Sequence, residues 1–125
     1  MAKMEGLMGR LSTHVLDTAL GKPAAGVKIM LYRISGQSHR KIKEMVTNAD
    51  GRTDGPMLEG KELTEGRYEL VFCAGDYLRA TGQAADGEIL FLDEIPIRFG
   101  VPDAGQHYHV PLLLSPFAYS TYRGS

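Results

Sequence analysis

Fifteen glycines and six prolines cut this 125-residue chain into short runs. Between the breaks lie segments rich in Val, Ile, Leu, Tyr and Thr. Short runs spaced this way are the pattern of an all-β sandwich. Leu11 to Asp17 alternates, with Ser12, His14 and Leu16 on one strand face and Thr13 and Val15 on the other. Gly21, Pro23 and Gly26 then turn the chain. Val27, Ile29 and Leu31 oppose Lys28, Met30 and Tyr32 in the next run. Arg40 to Thr47 carries mixed charge, which predicts a strand at a sheet edge or on a wet face. Asn48-Ala49-Asp50-Gly51 is a turn, and Arg52 should head a short strand after it.

Gly55 to Glu65 reads as a long loop, and Gly66 to Cys73 as another alternating strand. Gly75 to Gln83 is the one segment that suits a helix, a short one. Glu88 to Phe99 is apolar and acidic with Pro96 inside it. Val110 to Leu114 and Tyr119 to Tyr122 complete the strands. Pro111 cannot donate to a ladder, so its nitrogen should face a gap in the pairing or an edge. Alternating strands with little helix imply two packed sheets. No repeat or linker interrupts the pattern. Residues 1–10 read as a flexible tail and residues 11–125 as one domain.

Composition removes several function classes. Fourteen Lys and Arg against fifteen Asp and Glu leave a formal charge of −1, which argues against a general nucleic-acid binder. Cys73 is the sole cysteine, so an internal disulfide and a CxxC zinc or redox site are both excluded. No apolar run approaches the roughly 18 residues of a membrane span. Met1 to Arg10 lacks the apolar core of a secretory signal. The expected location is the cytoplasm, with no membrane partner.

Four histidines offer chemistry: His14, His39, His107 and His109. Imidazole is the side chain best suited to moving a proton near neutral pH, and it also ligates metals. His107 and His109 share a face if their strand runs through both. Two ligands do not complete a zinc site, so a metal reading would need a third, such as His14. The expectation is no metal and no cofactor. Arg52 is either a solvated surface residue or a fixed cation that holds a polar substrate or an oxyanion. The segment Ser115 to Ser125 keeps aromatic and cationic groups to its end, which suits either an ordinary last strand or a docked terminus.

Taken together, Leu11-Ser12-Thr13-His14-Val15-Leu16-Asp17, Asp50-Gly51-Arg52, Gly66-Arg67-Tyr68, Gly75-Asp76-Tyr77, His107-Tyr108-His109-Val110-Pro111-Leu112-Leu113 and Tyr122-Arg123-Gly124-Ser125 carry a resemblance. The chain resembles the 5-hydroxyisourate hydrolase family, the transthyretin-like enzymes of purine breakdown. The closing Tyr-Arg-Gly-Ser and the His-Tyr-His run separate that family from transthyretin, a hormone carrier of the same fold. The resemblance implies an eight-stranded, two-sheet sandwich with one short helix, assembled as a homotetramer (a dimer of dimers) with active sites in a channel between the dimers. It implies His14 and His109 as catalytic and Arg52 as substrate-binding. Tyr122, Arg123 and Ser125 would line the channel, with His107 beside it. The implied substrate is 5-hydroxyisourate; the alternative class is a transthyretin-like small-ligand binding protein.

Overall fold

A computed structural model of the chain describes residues 8–124. It has nine strand segments and one α-helix. They are β1 (Arg10–Asp17), β2 (Lys22–Pro23), β3 (Lys28–Ser35), β4 (Ser38–Val46), β5 (Leu58–Glu59), β6 (Gly66–Cys73), α1 (Ala74–Ala80), β7 (Glu94–Val101), β8 (His107–Leu114) and β9 (Tyr119–Thr121). One sheet runs β2-β1-β8-β9, with β5 also pairing β1; the other runs β4-β3-β6-β7. The expected two-sheet sandwich with one short helix is therefore present. Among the described residues no helix is long and apolar enough to cross a membrane. Residues 1–7 of the expected tail and Ser125 lie outside the described residues.

The strand faces follow the period-two pattern. In β1, Leu11, Thr13, Val15 and Asp17 are buried while Ser12, His14 and Leu16 are half-buried. Ile29 and Leu31 of β3, Leu70 and Phe72 of β6, and Leu112 and Leu114 of β8 meet between the sheets with no exposed surface. The mixed-charge run is β4, an edge strand as expected, and one extra residue bulges it where Leu31 pairs Lys43 and Tyr32 pairs Lys41. Pro96 sits on β7, the opposite edge, where a missing donor is tolerated. The segment 55–65 is more ordered than the loop its glycines suggest. It holds β5 and a 3-10 turn, Gly60–Glu62, whose Glu59 and Glu62 side chains cap it reciprocally.

Two features bind the site-bearing sheet. The first is the parallel pairing of β1 with β8, in register from Arg10 opposite His107 to Asp17 opposite Leu114. The second is Asp17, which is 1% exposed. Its carboxylate accepts bonds from Tyr77 Oη at 2.6 Å, Gln83 Nε2 at 2.9 Å and the Leu20 amide at 2.8 Å. Burial alone would push this carboxyl up, but the donors outweigh it and hold it below the usual range. The phenol of Tyr77 is pushed up by its own burial and by the carboxylate it serves. The network ties α1 to the end of β1.

Candidate active site

The outward face of the first sheet carries the chemistry. Because β8 begins at His107, the strand runs through both histidines, and His107 and His109 share a face with Arg10, Ser12 and His14 of β1. The register sets Ser12 opposite His109 and His14 opposite Pro111. His14 and His109 are thus diagonal neighbours, with ring centroids 6.4 Å apart. A polar cavity of about 460 Å³ opens beside them, lined among others by Arg10, Ser12, Arg52, His107 and His109.

Arg52 arrives from the turn predicted at Asn48–Gly51. The Asn48 side-chain oxygen accepts from the Asp50 and Arg52 amides at 2.9 and 3.2 Å, which closes the turn. Gly51 has φ of +75°, and its carbonyl accepts from Val15 N at 2.8 Å. Arg52 then makes a single bridge opposite His14, in place of the short strand expected there. The Asp50 carbonyl lies 2.9 Å from His14 Nε2. A carbonyl oxygen only accepts, so His14 carries a proton on Nε2.

Glycine at 51 is required on two counts. A Cβ there would collide with the Val15 carbonyl oxygen and lie 3.2 Å from His14 Cδ2, in a left-handed backbone that side chains avoid. Gly51→Ala should cost about 1–3 kcal/mol of stability, seen as a lower Tm. It should also lower turnover, because the imidazole and the guanidinium both hang on this turn.

His109 is held on two sides. Its Nδ1 shares a hydrogen bond of 2.8 Å with Ser12 Oγ. Gly124 exchanges both backbone bonds with His109 and lies close enough that a Cβ would sit 3.1 Å from His109 Cδ2. Burial lowers the His109 pKa below the ordinary imidazole value, and the Arg52 guanidinium and the neighbouring His14 add to the effect. Its neutral, proton-accepting form therefore persists to lower pH.

The C-terminal residues divide. Gly124 bridges His109, two residues from where Pro111 would face Tyr122 in the next mutually bonded pair. No ladder forms there, so the missing Pro111 N–H falls in a gap, and Thr121 Oγ1 donates to the Pro111 carbonyl at 2.7 Å. Arg123 turns to its own chain: it donates to Gln106 Oε1 and the His107 carbonyl, both at 2.9 Å, and stacks 4.4 Å from the Tyr108 ring centre. Tyr122 is 60% exposed and lines a separate cavity with Phe99 and Tyr108. His107 Nε2 donates to the Met8 carbonyl at 3.2 Å. Among the described residues, no three His, Cys, Asp or Glu side chains are grouped to hold a metal.

The structure therefore brings His14, Arg52 and His109 together, with Ser12 and Arg10 as neighbours that the sequence reading did not select. Strand parity already placed Ser12 on the face of His14. What was missing was the β1–β8 register that sets it against His109.

Comparison with known proteins points the same way. A sequence model described as "HIUase/Transthyretin family" matches residues 11–124. The chain is 59% identical over 117 residues to the 5-hydroxyisourate hydrolase 2 of Rhizobium meliloti (strain 1021), covering 94% of this chain and 97% of that protein. Its fold superimposes on the structure of Klebsiella pneumoniae 5-hydroxyisourate hydrolase with a TM-score of 0.77 at 35% identity, over 94% of this chain and all of that one. It also superimposes on an (S)-allantoin synthase with a TM-score of 0.87 at 49% identity, where it covers 94% of its own length but spans only 44% of that longer chain. The matched span contains every strand from Leu11 onward and the residues gathered at the cavity, and the chain belongs to the HIUase/Transthyretin family.

Proposed function

We propose that this protein hydrolyses 5-hydroxyisourate to 2-oxo-4-hydroxy-4-carboxy-5-ureidoimidazoline, by water attack on a cyclic amide. The observation that carries the reading is the juxtaposition of His14 and His109, 6.4 Å apart, with Arg52 bridged opposite His14 beside a polar cavity. His109 accepts a proton from the attacking water, whose oxygen bonds the amide carbon. The carbon–nitrogen bond then breaks, and the proton passes to the departing ring nitrogen. Arg52 supplies fixed donors for the developing oxyanion. His14, with Nε2–H held by the Asp50 carbonyl, keeps Nδ1 as an acceptor that orients water or substrate. None of these steps calls for a metal or a cofactor.

Family resemblance also supports a homotetramer in which a facing subunit closes the channel. Arg52 and Tyr122 are exposed on a single chain, as residues awaiting such a cover would be. The resemblance assigns Tyr122 and Ser125 to the substrate pocket of that assembly, and Arg123, bonded to Gln106 and the His107 carbonyl, fixes the backbone beside Tyr122. The cytoplasm is the compartment this reading assigns.

The deciding experiment follows the ultraviolet absorbance of freshly generated 5-hydroxyisourate with and without the protein. Faster decay than the uncatalysed background supports the proposal. Saturable binding without faster decay would favour a small-ligand carrier instead.

The lowered pKa of His109 makes a second result predictable. A base whose pKa lies below the ordinary imidazole value stays unprotonated on further acidification. The acid limb of kcat/KM should therefore fall below about pH 6.5. Arg52→Gln should move that limb upward as well as reducing the rate, since the guanidinium is one cause of the depression. A limb at or above about pH 6.5 would show that burial and the guanidinium do not depress His109.

A further inference from the structure

We infer that the Ser12 hydroxyl is a positioning residue that fixes the tautomer and tilt of His109, accepting Nδ1–H so that the Nε2 lone pair faces the cavity. This deepens the hydrolase proposal and rests on it for its catalytic meaning. The Ser12–His109 contact does not depend on it.

Two edges of the His109 imidazole are occupied. Nδ1 is engaged by Ser12 Oγ at 2.8 Å. The Cγ–Cδ2 edge packs on Gly124, where even a methyl group would be 3.1 Å from Cδ2. The edge left over is Cε1–Nε2, and His109 itself lines the cavity. Ser12 and His109 are directly opposite in the β1–β8 register, so the contact is set by the sheet and not by a loop. A group built on strands is held more tightly than one on a loop.

The hydroxyl by itself would serve either tautomer, because it both donates and accepts. The surrounding charge selects the accepting role for the hydroxyl, which then holds the proton on Nδ1. Arg52 lines the same cavity. A guanidinium favours a lone pair over an N–H at the nitrogen that faces it, which places the proton on Nδ1. The hydrogen bond made by one ring nitrogen determines the state of the other, as in base–orienter pairs generally. Serine differs from a carboxylate orienter in carrying no charge. It aligns the ring without raising its basicity, which suits a histidine whose neutral form must persist.

The test compares Ser12→Ala and Ser12→Thr with the parent protein by two readouts. One is ¹⁵N–¹H long-range NMR of the His109 ring at a pH where it is neutral. The other is steady-state turnover of 5-hydroxyisourate. The parent should show the proton on Nδ1. In Ser12→Ala the pattern should shift toward Nε2–H, the form neutral histidine prefers in water. Turnover of that variant should fall roughly ten- to a hundred-fold, mainly in kcat, as expected for a misaligned base. Ser12→Thr keeps the hydroxyl on a residue that suits a strand, so it should restore both signals.

A parent protein with the proton on Nε2, or a Ser12→Ala variant with unchanged ring signals and kcat, would overturn the inference while leaving the hydrolase reading intact. If no faster decay is seen in any form but the ring signals respond as stated, the hydrolase reading fails and the positioning contact stands.

Discussion

His109→Asn should slow 5-hydroxyisourate turnover by roughly 100- to 10,000-fold, the usual contribution of a positioned base. Asparagine retains polarity and occupies less volume than imidazole, and the two backbone bonds to Gly124 do not involve the side chain. The variant should therefore keep its fold, which circular dichroism and Tm would verify. The measurement is the decay of substrate absorbance above the uncatalysed rate. His14→Asn should also be impaired, and the double variant should lose far less than the product of the two single losses, because residues that act as a unit are not additive. Near-parental turnover in His109→Asn would refute the assignment of the base.

The largest effect on stability is expected at a residue remote from catalysis. Asp17→Asn should lower stability by about 2–4 kcal/mol, from loss of charge-assisted bonds and from a buried amide NH₂ set against other donors. Tyr77, Gln83 and the Leu20 amide all donate to this carboxylate. An amide can accept through only one of its two heavy atoms. The measurable result is a fall in Tm on the order of 10 °C for a chain of this size.

The pH dependence gives a sharper signature. Asp17 has a folded-state pKa below its unfolded value, so the folded chain binds fewer protons. Its contribution is complete above the unfolded pKa and is lost as pH falls through the folded one. The parent should therefore lose stability on acidification below about pH 4, and that part of the profile should be absent in Asp17→Asn. Superimposable acid limbs would show that the carboxylate is not what the network depends on.

How much of this was legible beforehand differs by residue. The burial alternation of β1 and β3 matches the residue pattern, since a strand turns each successive side chain to the opposite face. The turn before Arg52 was readable from Asn48, Asp50 and Gly51, whose roles are local. The segment 55–65 was not, because β5 exists only through its pairing with the start of β1. Tyr122 is instructive in the opposite sense. The family resemblance associates it with the histidines, yet in one chain it lines a different cavity from the one beside His109.

Alternation and punctuation in the amino acids were enough to specify strands, their inward faces and a sandwich, because these depend on neighbours a few positions away. They also supplied the inventory of imidazoles and guanidinium. Which of those groups meet was settled only when β1 docked in parallel beside β8, joining Ser12 to His109 across 97 positions of chain. A register between distant strands comes from the packing of the whole core, and a slip of one residue would turn every one of these side chains away from the cavity.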